Sequence, residues 1–247
     1  MKNKKLSIAS VVVVLITWQI LASIVDNPIK FPTPIATYFA FVEIVGGQYF
    51  IKEIFYTLKR TSIGFIISFM MGVSLGTVAG FCNPIYYFMH PIVSIQRSMP
   101  TMGVILLALI WLNREIAPIL VGILIAFPII YSAVVNAVRN IDKQLLEMTQ
   151  IYQFTKRKKL CHLYYPSVKS SLMAVTSTAI GLNIKVGIAA EVLSQPRFAI
   201  GTGLQMEKVA LNTAGVLAWS VIAIILSATC EWLISQLFRL SVPKNTD

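Results

Sequence analysis

Acidic residues are scarce in this chain. Ten Asp and Glu stand against 21 Lys and Arg, leaving a net charge of +11. Histidine and cysteine are scarcer still, with two and three copies. Cys82, Cys161 and Cys230 lie far apart without CxxC spacing, so the sequence offers neither a disulfide framework nor a zinc pattern. His90 and His162 alone make a metal site a poor reading. There is no GxxxxGK(S/T) motif, hence no Walker loop of its own to cradle ATP. The lone Gly201-x-Gly203 reads as a turn in an outer segment. No nucleophile–base constellation supports a membrane-embedded enzyme.

What fills the chain instead is apolar. Hydrophobic residues make up 56% and charged ones 13%, against roughly 25% charged in ordinary globular proteins. Mean hydropathy is +0.74. This is the composition of an all-α integral membrane protein, solvated laterally by lipid. Its excess Lys and Arg read as cytoplasmic loop charges that set topology rather than as a nucleic-acid surface.

Six spans are expected. Lys2, Lys4 and Lys5 precede an apolar run over 6–25. That run resembles a signal peptide but has the length of a spanning helix. No small-x-small cleavage site follows, which favours a retained helix with its N-terminus inside. Phe31-Pro32-Thr33-Pro34 then makes a turn or extended element. An amphipathic helix on the outer surface is expected over 35–45. The second span, 61–81, carries Gly72, Gly76 and Gly80 on one face, a close-packing seam. Residues 83–112 contain Pro84, His90, Pro91, Arg97 and Pro100 and hold no uninterrupted apolar run. The basic stretch 139–169 lies inside only if this segment also crosses. It is therefore read as a broken third span lining a pathway, with Arg97 and Pro100 near its break. Spans over 116–138, 168–190 and 215–238 complete the set, and 241–247 is a cytoplasmic tail. Residues 1–50 form an N-terminal part and 51–240 the transmembrane core. Lys30, Lys52, Lys59, Arg60, Arg114, Arg197 and Lys208 fall in outer segments on this topology.

The longest polar interruption, 142–166, lies between spans four and five. It carries Glu147 and the cluster Lys156-Arg157-Lys158-Lys159. Leu145, Met148 and Tyr152 share one helix face; Leu160, Leu163 and Tyr164 make a second. Gln153-Phe154-Thr155 breaks the phase, Thr155 is placed to N-cap a second helix, and Pro166 stands where a new helix begins. A cytoplasmic elbow that grips a separate protein is the reading. The basic cluster has a plainer role available, attraction to anionic lipid at on the order of 1 kcal/mol per cation.

Arg97, Lys185, Glu191 and Glu231 are ionisable groups in or near spans and so are pathway candidates. Lys185 and Glu191 are about 240° apart on a helix and do not face each other. A permanent cation such as Arg97 or Lys185 would suit an anionic solute.

The elbow resembles the EAA loop of type I ABC importer permeases, EAA-x3-G-x9-I-x-L-P. Glu147 occupies the Glu position; Met148 and Thr149 replace the alanines, Gln153 the glycine, Leu163 the Ile and Tyr165 the Leu; Pro166 matches. Spacing is kept throughout, and identity is confined to the two ends. Phe31-Pro32-Thr33-Pro34, Tyr56-Thr57-Leu58-Lys59-Arg60, Ser98-Met99-Pro100 and Gly187-Ile188-Ala189-Ala190-Glu191 with Gly201-Thr202-Gly203-Leu204 resemble the nitrate/sulfonate/taurine branch across essentially the whole chain. The resemblance implies a permease subunit working as a homodimer in the cell membrane. It also implies a cytoplasmic ATPase dimer that holds ATP-Mg and docks at Glu147, and an external substrate-binding protein or lipoprotein. Where that family has glycine, Gln153 would bear about 1–2 kcal/mol if the turn stays left-handed. The rival reading is an ion-coupled secondary transporter, which would call for paired carboxylates or broken helices in both halves. One broken span and no repeat are visible.

Overall fold

The computed structural model describes residues 4–240; the expected tail, 241–247, lies outside them. The chain runs through α1 (Lys4–Val25), α2 (Pro34–Val45), α3 (Phe50–Phe81), α4 (Asn83–Ser98), α5 (Thr101–Trp111), α6 (Ala117–Arg139), α7 (Lys143–Ile151), α8 (Lys156–Lys159), a π-helical turn (Leu160–Tyr164), α9 (Tyr165–Ser194), α10 (Ile200–Val209) and α11 (Thr213–Leu240). Among the described residues, four helical stretches are long and apolar enough to cross a membrane: α3, α6, Lys156–Ser194 and α11. The pair α4–α5, bent by 101°, brings the number to five, and Ala9–Val25 of α1 is a shorter apolar helix.

Helix α6 is the axis, packed against both α3 and α9, which also touch each other. The α3 seam is longer than the three glycines singled out from sequence. Gly64, Ser68, Gly72, Gly76 and Gly80 recur every four residues and are presented to α6. A Cβ at Gly72 would lie 2.8 Å from Ile130, one at Gly76 2.9 Å from Val134, and one at Gly80 2.7 Å from Val138. Lipid tails are as apolar as leucine, so association rests on this close van der Waals approach.

The broken span follows from one proline. Pro100 has no N–H and pushes Met99 out of the helical region, to φ −66°, ψ 131°. The chain then turns back into α5, whose Val104, Ile105 and Ala108 bury against Ala117, Val121 and Ala190.

A second proline shapes α6. Pro128 leaves the Leu124 carbonyl without its helical donor; Gln96 of α4 supplies one, Nε2 donating at 2.8 Å. Ser68 of α3 donates to the neighbouring Ile123 carbonyl at 3.2 Å. The hydrogen bond lost at Pro128 is thus replaced from α4, with a further one beside it from α3.

Two expectations need correction. α2 has a cap that the sequence reading did not single out: the Thr33 hydroxyl accepts from the Ala36 N–H at 3.1 Å, with Pro34 in the first turn. It is not amphipathic, however. Ile35, Phe39 and Val42 are exposed while Phe41 and Ile44 pack on the cluster around Trp219. Its exposed surface is mostly apolar, with Glu43 the one exposed acid, and such a surface belongs in hydrocarbon or against another chain. Gly201 and Gly203 do not form a turn but open α10, where bare backbone lets the helix press on Glu191 and Trp219.

Gly76→Leu is expected to lower stability by about 1–3 kcal/mol through overpacking, read as a lower thermal midpoint in detergent. Gly103→Ala, where the added carbon meets Pro100 at an ordinary 3.4 Å, should leave the midpoint unchanged or slightly raised.

Candidate functional site: an exposed elbow and a buried arginine

The elbow begins at Asp142, whose carboxylate accepts from the Gln144 N–H at 2.9 Å and starts α7. Helix α7 turns Leu146 and buried Thr149 toward the bundle. Glu147, Leu145, Met148, Ile151 and Tyr152 face outward, with Ile151 78% and Tyr152 70% exposed. The face expected from Leu145, Met148 and Tyr152 is therefore the open one, and Ile151 belongs to it.

The turn that follows resolves the departure at Gln153. The Phe154 N–H donates to the Thr149 carbonyl at 2.9 Å, and the Gln153 N–H to Gln150 at 3.0 Å. This paired closure places the residue after the C-cap in the left-handed region, where glycine is the usual occupant. Gln153 adopts it with φ 48°. The tight turn is kept and the side chain bears the strain, about 1–2 kcal/mol. Thr155 then caps α8, accepting from the Lys158 N–H at 3.3 Å.

The second half of the elbow differs from expectation. Pro166 stands in the first turn of α9 as expected, but Leu160, Leu163 and Tyr164 make no separate helix before it. Lys156–Ser194 is a single helical stretch passing through the π turn into α9. The wider turn makes room for Pro166, whose ring would strike the carbonyl four residues earlier in a regular helix. Tyr164 meets Phe81 edge-on with ring centres 4.8 Å apart, and Ser167 donates to the Ala137 carbonyl at 2.9 Å. The elbow is thereby pinned to α3 and α6 and is continuous with α9.

At the other end of α9 lies a feature that sequence reasoning missed. Arg60, expected in an outer segment, is buried in α3, its side chain 5% exposed. Its Nη2 lies 2.8 Å and its Nε 2.9 Å from Glu191 Oε1. Nη1 reaches Glu115 at 2.9 Å, and Nη2 donates to the Phe198 carbonyl at 2.6 Å. Thr57 donates to Glu191 Oε2 at 2.8 Å and accepts from the Ile200 N–H at 3.1 Å. Glu115 accepts from the Arg197 N–H at 3.1 Å. One planar fork thus ties α3, α9, the α5–α6 link and the α9–α10 link. The available signal was Glu191 itself: a carboxylate within a span needs a cation, and Thr57 and Arg60 are spaced to share a helix face.

Glu191, a pathway candidate from sequence, is fully buried in this network. Lys185 instead meets Glu231 at 3.4 Å, with the two side chains 61% and 37% exposed. Arg97 and Pro100 sit at the bend as expected, and Arg97 Nη2 donates to the Pro128 carbonyl at 3.3 Å. Among the described residues, no group of three or more His, Cys, Asp and Glu could hold a metal ion.

Removing one partner of a buried pair leaves an uncompensated charge, costing about 3–5 kcal/mol, whereas replacing both with apolar groups is often neutral. Arg60→Met is expected to depress the thermal midpoint sharply, and Arg60→Met with Glu191→Leu to recover much of the loss. At the elbow, Gln153→Gly should leave stability equal or higher, and Gln153→Val, β-branched in a left-handed turn, should lower it.

The family model of binding-protein-dependent transport system inner membrane components matches residues 64–240. An aliphatic sulfonates transport permease of Bacillus subtilis is 24% identical over 179 residues, covering 72% of this chain and 63% of that protein's own length. A nitrate import permease of Synechocystis is 23% identical over 195 residues, covering 74% of this chain and 70% of that one. Among solved structures, the inward-facing MetNI methionine ABC transporter matches with TM-score 0.66 at 17% identity, over 78% of this chain and 95% of that chain. A bacterial ABC transporter that imports alginate matches with TM-score 0.65 at 16% identity, over 98% of both chains. These structural likenesses carry the fold. With the family match spanning most of the helical core, the chain belongs to the binding-protein-dependent transport system inner membrane components, the permeases of type I ABC importers.

Proposed function

We propose that this chain is the membrane subunit of an ATP-driven importer and that its elbow is the docking point for a separate cytoplasmic ATPase. The observation that carries the reading is the elbow's outward face. Glu147 stands beside Met148, Ile151 and Tyr152 on a helix closed by a left-handed turn at the family's glycine position. An apolar patch with one carboxylate at its edge fits a groove on a partner protein that offers a cation. ATP-Mg is held by the ATPase.

The mechanical consequence follows from continuity. α8, the π turn and α9 form one helical stretch, so a displacement of the elbow is delivered to α9 along its length. Its far end carries Glu191, held by Arg60 of α3. ATPase closure would tilt α9 about this anchor and alternate the access of a central pathway. The termini and elbow are placed in the cytoplasm of the cell-membrane protein, in keeping with Lys156 to Lys159. An external binding protein delivers the solute to the opposite face.

A second copy of the chain completes the pathway. The Lys185–Glu231 pair is exposed inside two apolar helices, and such a pair belongs against water or protein rather than lipid. The named relatives handle sulfonates and nitrate, which supports a small anionic solute here. An ion-coupled carrier has less in its favour: the carboxylates of α9 and α11, Glu191 and Glu231, are engaged in a structural fork and an exposed pair.

Reversing the elbow's charge should abolish docking. Breaking a desolvated charge pair from one side costs roughly 2–5 kcal/mol. Glu147→Arg is therefore expected to lose co-purification with the cognate ATPase in the same detergent while eluting like wild type on its own. Retention of the ATPase by Glu147→Arg would move the contact elsewhere. Failure of the wild type to retain any cognate ATPase would sink the importer reading.

A further inference from the structure

Between α4 and α6 lies a cavity of about 190 Å³, lined by Tyr86, His90, Ser94, Arg97, Tyr131, Ser132 and Asn136 together with two valines. We infer that this cavity is a subsite for a small oxyanion, a sulfonate- or nitrate-like group, held chiefly by Arg97 and the Tyr131 hydroxyl. The inference rests on the permease reading for its claim that the bound anion is transported cargo.

Three observations converge. First, the lining is cationic and polar without an acid. Tyr86, His90, Ser94 and Arg97 fall on one face of α4, and Tyr131, Ser132 and Asn136 on the facing side of α6. No Asp or Glu is among the lining residues, so a cation would find no counter-charge.

Second, Tyr131 is 3% exposed, yet its hydroxyl has no hydrogen-bond partner among the described residues. A buried phenolic O–H left unmatched is unfavourable. Its ring is held, with Phe127 at 5.7 Å, so the hydroxyl is fixed at the cavity wall.

Third, Arg97 is committed weakly. A guanidinium carries five N–H donors, and among the described residues its hydrogen bond is one of 3.3 Å, to the Pro128 carbonyl. The rest of the fork is free to take two oxygens of one anion, the arrangement Arg favours. Arg139, the neighbouring cation, is occupied. It donates to Asn83 at 2.8 Å and to the Ala79 carbonyl at 3.4 Å, and its guanidinium lies 4.1 Å over the Tyr86 ring. It adds positive potential without closing the cavity.

Size narrows the class. At about 30 Å³ per water, the cavity has room for roughly six water volumes. That suits a small oxyanion with a short tail and falls below the range of about 300–1,000 Å³ for pockets that take drug-sized ligands. The cavity lies beside the bend at Met99–Pro100, where the α4–α5 break exposes a face of the bundle. Pro128 connects the two features: it orphans the carbonyl that Gln96 caps, and its own carbonyl holds Arg97 at the wall.

The test is equilibrium binding of radiolabelled ethanesulfonate, and of nitrate in competition, to the purified full chain in neutral-lipid nanodiscs. Choline serves as the cationic control. The expected result is saturable ethanesulfonate binding, displaced by nitrate and not by choline. Tyr131→Phe, which keeps the ring and removes one donor, should weaken it about tenfold or more. Arg97→Gln should abolish it, and Ser94→Phe, filling the cavity from an exposed position, should abolish it with both binding groups intact. Absence of saturable binding by the wild type overturns the inference, as does equal binding of choline. Unchanged binding in both Tyr131→Phe and Arg97→Gln overturns it too and returns Tyr131 to a packing role. No ATPase is present in this assay. Loss of the anion site with Glu147-dependent ATPase capture intact therefore removes the subsite alone. Anion binding by a chain that captures no ATPase removes the importer reading instead.

Discussion

Inside hydrocarbon, two helices gain nothing by hiding apolar side chains from each other, so close contact has to hold them together. The α3–α6 seam supplies that contact. Bare backbone at Gly72, Gly76 and Gly80 is filled by Ile130, Val134 and Val138. With α3 fixed on α6, the remaining helices have a frame. α9 docks on α6 and α3, α11 and α10 on α9, and α2 on α11. The elbow end is then set by Phe81 against Tyr164 and Ser167 against Ala137, and the far end by Arg60. A bulky residue in the seam would disturb both ends together.

The polar groups inside this frame divide by how fully they are satisfied. Around Arg60 every partner is present: two carboxylates, a carbonyl, a hydroxyl and the backbone donors of Ile200 and Arg197. Such a network stays shut, and it resists motion where the far end of α9 must be held. At the α4–α6 cavity the satisfaction is incomplete, with Tyr131 unmatched and Arg97 loosely held. Incomplete satisfaction is what a site for a transient guest requires. Beyond Pro128, α6 carries tight packing and the open site side by side: Ile130, Val134 and Val138 fill the glycine seam while Tyr131, Ser132 and Asn136 line the cavity.

Much of the architecture was legible in the sequence because it rests on local rules. Gly72, Gly76 and Gly80 declare a seam by spacing alone. Pro100 declares the break, and Thr155 is sited as a cap. The elbow was legible as the longest polar interruption, and its 20-position pattern carried the family. Arg60 was not legible, since a basic residue at a helix entrance looks like any loop cation until its partners arrive from residues 115, 191 and 198. The continuity of α8 with α9 was hidden by Pro166, a residue that ordinarily begins a helix; the π turn that absorbs it leaves no simple composition signal. Gln153 shows the reverse case. Its residue type argues against a left-handed turn, and the hydrogen bonds of Phe154 and Gln153 hold the turn regardless.

The central claim is that the elbow and α9 move as one unit when an ATPase closes. Cys161 sits in the π turn and is exposed, which makes it a natural reporter. With Cys82 and Cys230 replaced by serine, spin labels on Cys161 of the two copies in the assembled complex give one distance, measurable with and without trapped nucleotide. The account predicts a shift of that distance by several ångströms on nucleotide trapping. An unchanged distance while the ATPase hydrolyses ATP would contradict it.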